Sequence, residues 1–446
     1  MPKKGTFDAT QKKQLLQYAR ETLAAFEKDV VAGDNLHLAK LKESGWVFFG
    51  DYIVQFTEEF LTTQRQFTSL AAKMLKARSA HEKTIRNLCQ KAAQDYVIVR
   101  SAAEQESPGD LESAARGLVD KVLAEAGKEY THIAPNFLIR HGAPTVMALG
   151  PVRSMPTELL GANTTLTKNP RISLSVGESP AVVADDDSIP ITMPNTVWVV
   201  EVPATKENVQ AEAIWLIDIA VGLMRLSAAG WQGLYPRVGD VEAYPTYPTL
   251  PVRPAVIMEG ERVYVQYGTA PGWYEISPEI AEALNAPKVQ CRASRLFDPI
   301  SKSLAQRVAQ GLGWMTRGRQ SRDRAERLLA FFTALESLLT PNQENAPVTD
   351  TISRHVSIIL TDNISKRAAA YQNTKRLYGL RSRVVHSGGR EVLWQDVNML
   401  QIYVERVFSN VIEQCDINMS HENFARSLIT ASHGLKWKCA ATEEIA

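Results

Sequence analysis

From Tyr52 to Gln105 the chain contains neither glycine nor proline. Those two residues punctuate turns and breaks, so their absence over such a stretch points to one long helix or a helical pair. Apolar residues there recur at helical steps: Phe56, Phe60, Phe67, Leu70 and Met74, then Ile85, Leu88 and Ala92. The same spacing precedes it in Leu15, Tyr18, Ala19, Leu23 and Phe26. Ser107-Pro108-Gly109 is a break, and a further helix is expected from Asp110 to about Ala126. Residues 1–130 therefore read as a helical region, with a regulatory or oligomerising role.

Beyond Pro135 glycine and proline become frequent and strand patterns appear. Arg171–Val176 alternates with period two, and Thr196-Val-Trp-Val-Val-Glu-Val202 reads as a buried strand. Asn208–Ser227 reads as a strongly apolar helix. Ala255–Met258, Arg262–Gln266 and Trp273–Ile276 suggest an antiparallel meander, with Glu259-Gly260-Glu261 turning between the first two. Residues 131–292 form a mixed α+β middle region, taken as a sensing or scaffold part.

From about Ala293 the pattern is helical again. Helices are expected over Ile300–Thr316, Arg322–Leu339 (stopped by Pro341), Asp350–Leu360, Ser365–Val385 and Val392–Glu413. Together they carry enough apolar surface for a helical bundle over 293–446. The fold class is α+β overall: a helical N-terminal region, a mixed middle and an all-α C-terminal bundle.

Composition narrows the function classes. Fifty Lys and Arg offset 49 Asp and Glu, a net charge of +1. Any affinity for nucleic acid must come from a local basic surface. The four cysteines, Cys89, Cys291, Cys415 and Cys439, form no C-x-x-C pair. They are expected to be reduced thiols, not a zinc ribbon or redox dithiol. No signal-peptide pattern opens the chain and no apolar run reaches the ~20 residues of a membrane span. A cytoplasmic protein with no membrane partner is expected.

Among possible reactive groups, Arg381-Ser-Arg-Val-Val-His386 stands out. Arginine is a permanent cation with a planar fork of donors for phosphate oxygens. Histidine exchanges protons near neutral pH. The spacing alone is weak, because Arg426 and His433 repeat it with six intervening residues in a polar tail. Context separates the pairs: Arg381 and His386 close an expected helix just before Gly388-Gly389. Positions five apart lie ~140° apart around a helix. A break at His386, with glycine free to turn left-handed, would let the imidazole swing toward the arginine. The alternative is a helix-end cation favoured by the dipole and a capping histidine.

The stretch Thr374-Lys-Arg-Leu-Tyr-Gly-Leu-Arg-Ser-Arg-Val-Val-His-Ser-Gly-Gly389 resembles the signature of the HEPN superfamily, in particular its Apea-like branch. Ala325–Leu339 resembles that branch's second characteristic helix, and Gln306–Trp314 the helix before it. The resemblance covers about 293–415. It implies a metal-independent endoribonuclease without a cofactor. The RNA 2′-hydroxyl would attack the adjacent phosphate, giving a 2′,3′-cyclic phosphate and a 5′-hydroxyl. It makes His386 the acid/base and Arg381 the group that stabilises the phosphorane. It implies a homodimer or higher homo-oligomer with a composite cleft. It also implies an antiphage, abortive-infection or toxin role, released by a phage-derived or other trigger. The alternative is an inactive relative serving as an RNA-binding or assembly scaffold.

Neighbouring residues are weaker candidates. Ser382 stands where the family often has a larger polar residue. Arg383 either touches the RNA backbone or is a solvated cation. Glu336, in an otherwise apolar helix, either orients the arginine or histidine or reaches solvent. Tyr378 reads as packing. Arg327 lies nine residues from Glu336, ~13 Å along the same helix, too far for direct contact. Asp185-Asp-Asp187 reads as a solvated loop, and Gly311-Leu-Gly313 lacks what a phosphate loop needs. Trp198, Trp215, Trp231 and Trp273 read as core of the middle region.

Overall fold

The computed structural model describes residues 9–28, 30–32, 46–49, 52–55, 58–75, 82–102, 109–126, 128–163, 172–176, 189–228, 255–259, 262–266, 274–321, 323–340, 348–389, 391–437 and 439. The class is α+β, mostly helical. Two compact units divide the chain: Met1–Thr131 with Glu201–Glu212, and His132–Val200 with Ala213–Ala446.

The first unit contains helix α1 (Ala9–Lys28), strands β1 (Val30–Ala32), β2 (Trp46–Phe49) and β3 (Tyr52–Gln55), and helices α2 (Glu58–Met74), α3 (Glu82–Ala102) and α4 (Gly109–Ala126). The glycine-free stretch is thus a helical pair preceded by a strand. Tyr52-Ile-Val-Gln55 departs from the helical expectation because aromatic and β-branched residues favour extended backbone. It pairs antiparallel with both β1 and β2. Glu58 and Glu59 then open α2, where carboxylates complement the helix dipole. Phe56 lies outside the described residues. Leu15, Ala19, Leu23 and Phe26 of α1 share one core with Phe60 and Phe67 of α2, Ile85 and Cys89 of α3, and Leu118 and Val122 of α4.

The second unit begins with strands β4 (Tyr130–Pro135), β5 (Ile139–His141), β6 (Met147–Leu149) and β7 (Val152–Pro156) and the short helix α5 (Leu160–Asn163). Strands β8 (Ile172–Val176), β9 (Ile189–Met193) and β10 (Thr196–Val202) follow, then helix α6 (Val209–Ser227). A four-stranded sheet runs β4-β10-β7-β6, with β7 antiparallel to both β10 and β6. Strand β10 is buried along its length except at Glu201, and Trp198 is fully buried. Trp231, Trp273 and Asp185–Asp187 lie outside the described residues.

Strands β11 (Ala255–Glu259) and β12 (Arg262–Gln266) form the expected hairpin, with Glu259 opposite Arg262. The turn residues themselves are outside the described set. Strand β13 (Tyr274–Ile276) does not extend it into a meander. It runs parallel to β5, with the Tyr274 N–H donating to the Leu138 carbonyl at 2.8 Å. In the sequence Gly268, Pro271 and Gly272 separate the two strands, residue types poorly suited to a strand interior.

Helices begin before Ala293. Helix α7 (Pro278–Asn285) and helix α8 (Pro287–Phe297) both open on proline, whose missing N–H costs nothing in a first turn. Then come α9 (Leu304–Gln320), α10 (Arg324–Leu339), α11 (Val348–Leu360), α12 (Ile364–Ser387), α13 (Trp394–Gln414) and α14 (His421–Ser432). Side-chain caps set the starts: Ser303 accepts from the Gln306 N–H, Asp323 from Ala325 and Glu326, Asn363 from Lys366 and Ser420 from Asn423. The core is filled by Val308, Leu312, Leu328, Phe331, Phe332, Leu335, Leu377, Leu400, Val404 and Phe408. Gly311 serves packing: a Cβ there would lie 2.1 Å from Cζ of Phe408.

Two expectations about the C-terminal end are corrected. The polar tail is helical, because Phe424, Leu428 and Ala431 at helical steps give α14 a buried face. Cys415 and Cys439 are joined in a disulfide with Cα atoms 5.2 Å apart, so not all four thiols are reduced. The chain after α14 folds back to the end of α13, with Trp437 Nε1 donating to Ser427 Oγ at 3.1 Å. A separation of 24 residues carries no local motif that would announce this pairing. Among the described residues no helix is long and apolar enough to cross a membrane.

Candidate functional site

Helix α12 carries the arginine–histidine pair. Its buried residues are Ala370, Thr374, Leu377, Tyr378 and Leu380, which share one broad face. Arg381 follows Leu377 and Tyr378 by four and three residues, so it continues this face toward α10. His386, ~140° further round, does not, and it is exposed.

The helix does not break where expected. It runs through Ser387, and Gly388 takes the left-handed cap at φ 64°. A break at His386 is therefore ruled out: its backbone remains helical and its imidazole does not swing back to Arg381 by that route. The reason is positional, since Gly388 is the first residue that adopts αL without a Cβ penalty. Among the described residues His386 makes no hydrogen bond or ion pair.

Arg381 meets Glu336 of α10. Its Nη2 lies 3.2 Å from Oε1 and 3.4 Å from Oε2 of that carboxylate. The Arg381 and Glu336 side chains are 26% and 23% exposed, so water screens the pair only in part. Tyr378 Oη donates to Glu336 Oε1 at 2.8 Å. The tyrosine ring lies 5.4 Å from the Arg381 guanidinium carbon and packs edge-on against Phe332, with centroids 5.1 Å apart. Burial, then the neighbouring carboxylate, pushes the Tyr378 phenol up to about 12. Glu336 thus orients the arginine and does not merely reach solvent. Ser382 is half-buried and Arg383 exposed, and neither joins this cluster.

Helix α12 is also rich in basic residues. From Ile364 to Ser387 it holds Lys366, Arg367, Lys375, Arg376, Arg381 and Arg383 and no acidic residue. Neighbouring elements supply carboxylates to some of these: Asp396 to Arg376 at 2.8 Å and Asp362 to Arg367 at 3.3 Å. This bias is readable from the sequence over the expected helix Ser365–Val385.

What holds α10 in place is a buried network. Arg327, fully buried, donates to the Arg319 and Ser321 carbonyls at 2.6 and 3.1 Å and to Gln401 at 3.2 Å. Arg319 pairs with Glu405 at 2.5 Å. Arg327 therefore fastens α10 to the end of α9 and to α13, away from Glu336. A second charged group lies on α6 and α9: Arg317 bonds Asp218 at 3.0 Å and stacks near Trp215 and Trp314, at 4.7 and 5.3 Å. Burial raises the Asp218 carboxyl to about 6. Trp215 is thus half-buried and not wholly core. The other arginine–histidine pair is ordinary helix surface: Arg426 binds Glu422 at 2.9 Å one turn back.

Among the described residues no group of three or more His, Cys, Asp or Glu is placed to hold a metal ion. Comparison with protein-family models, curated proteins and solved structures returns no match.

Proposed function

We propose that the chain is a metal-independent endoribonuclease of the HEPN kind, with Arg381 and His386 as its reactive residues. The observation that carries this reading is the end of α12. A helix with six Lys and Arg and no acid ends in a half-buried, oriented arginine and an exposed histidine. A polyanion is attracted to such a helix, and a planar guanidinium matches its phosphate oxygens. The histidine takes the proton of the attacking 2′-hydroxyl or gives one to the departing 5′-oxygen. As one copy supplies one such histidine, a homodimer that pairs two α12 ends completes the acid and base. DNA, without the attacking hydroxyl, is not cut. The biological setting that fits is antiphage defence or a toxin system, with a trigger that releases the site.

A second reading is a non-catalytic RNA-binding or assembly scaffold. It is favoured by the helical separation of Arg381 from His386 within one chain and by Ser382 after the arginine.

Incubation of RNA with the protein in excess EDTA, beside Arg381→Ala and His386→Ala, separates the two. The nuclease reading expects cleavage with 2′,3′-cyclic phosphate ends by the wild type alone, at least 100-fold above either variant. Equal cleavage by all three excludes this pair as the site. RNA binding that weakens in Arg381→Ala, with no cleavage by any form once the activating trigger is supplied, establishes the scaffold.

A further inference from the structure

Arg381 is held by one corner. Its Nη2 alone spans the two Glu336 oxygens, and among the described residues its Nε and Nη1 have no hydrogen-bond partner. Each of these two groups remains able to donate singly to a phosphate oxygen. A guanidinium on a flexible stem presents such donors usefully only if its plane is fixed, because rotamer freedom otherwise has to be lost at each encounter.

The fixing group is Tyr378. Its hydroxyl bonds the carboxylate at 2.8 Å while its ring supports the cation, so one side chain touches both members of the pair. The tyrosine cannot easily move. It is 8% exposed and its ring is braced by Phe332. The phenol keeps its proton throughout the neutral range, so the donor persists there.

We propose that Tyr378 is the positioning residue of this site: through Glu336 and through its own ring it fixes the Arg381 guanidinium, leaving the Nε–H and Nη1 donors for an RNA phosphodiester. This rests on the ribonuclease reading for the nature of the ligand, while the positioning itself is a property of the chain.

The test uses full-length protein labelled with 15N-arginine. Loss of one Nε–Hε resonance in Arg381→Ala assigns that signal. In the wild type it should be sharp, with slow guanidinium rotation. Tyr378→Phe keeps the ring and removes the hydroxyl, so it should broaden or shift the signal, as Glu336→Gln should. The double variant should add little, since both act on one contact. In RNA cleavage, Tyr378→Phe should lower kcat about 10- to 100-fold with KM changed less than about twofold. Thermal midpoints should stay near wild type. An unaltered Arg381 signal in Tyr378→Phe, or fully additive effects in the double variant, overturns the proposal. If Arg381→Ala cleaves RNA as fast as wild type, the ribonuclease reading falls, and the resonance data still decide the positioning role.

Discussion

Buried polar side chains in the C-terminal helices sit where a helix end or a carboxylate needs them. Three consecutive carbonyls at the end of α10 receive basic groups. Arg307 bonds Ser337 O at 3.2 Å, His421 Nε2 lies 2.8 Å from Leu338 O, and His355 bonds the Leu339 backbone. Burial, with Arg354 and His421 nearby, pushes His355 down to about 4. Between the ordinary histidine value and that one, the unfolded chain takes a proton that the folded chain refuses. Stability from this residue is therefore complete above about pH 6.5 and falls as pH drops to about 4, by about 3 kcal/mol. Urea unfolding at pH 7 and pH 4 should show a smaller acid loss in His355→Gln than in wild type. The same loss in both would place the pH dependence elsewhere. Glu336 was legible as a carboxylate out of place in an apolar helix. Which partner it takes, the arginine or the histidine, was left open, since Arg381 lies 45 residues away.

At the scale of elements, periodicity located α1 to α4, α6 and α9 to α13, because each must hide one apolar face. Boundaries followed side-chain chemistry more closely than hydrophobicity. Helix α9 starts at Leu304 and not Ile300 because Ser303 supplies the cap. Helix α12 ends at Gly388 and not at its histidine. Helix α14 escaped notice because its buried face has only three apolar residues, with His421, set among polar ones. Close helix contacts also depend on single positions. Gly311→Ala would drive a methyl into Phe408, a ring that is fully buried and cannot retreat. Thermal or urea unfolding should register a loss of about 1–3 kcal/mol. Gly311→Ala with Phe408→Leu should recover part of it, and a failure to recover would mean that backbone, not the ring, sets the limit.

For the whole molecule, the disulfide is the clearest long-range constraint. Cys415 and Cys439 close a loop that contains α14. Crosslinking a loop of that size restricts the unfolded chain by about 3 kcal/mol. Reductant should lower the unfolding midpoint of the wild type, and Cys439→Ser should start low and ignore the reductant. A wild-type midpoint that does not move would show that the bond contributes nothing in solution. The unit from His132–Val200 and Ala213–Ala446 joins sheet and helices in one compact body. Helical periodicity says nothing about such joining.

Local spacing, then, was enough to determine the α+β class, most helices and the β10 strand, because side-chain periodicity and capping act within a few residues. Tertiary structure alone decided which groups meet: Glu336 and Tyr378 with Arg381, Arg327 with Gln401, and Cys415 with Cys439. It also left His386 exposed on a continuing helix. These contacts join residues far apart along the chain, and their partners are chosen by how whole helices pack, which no short window of sequence encodes.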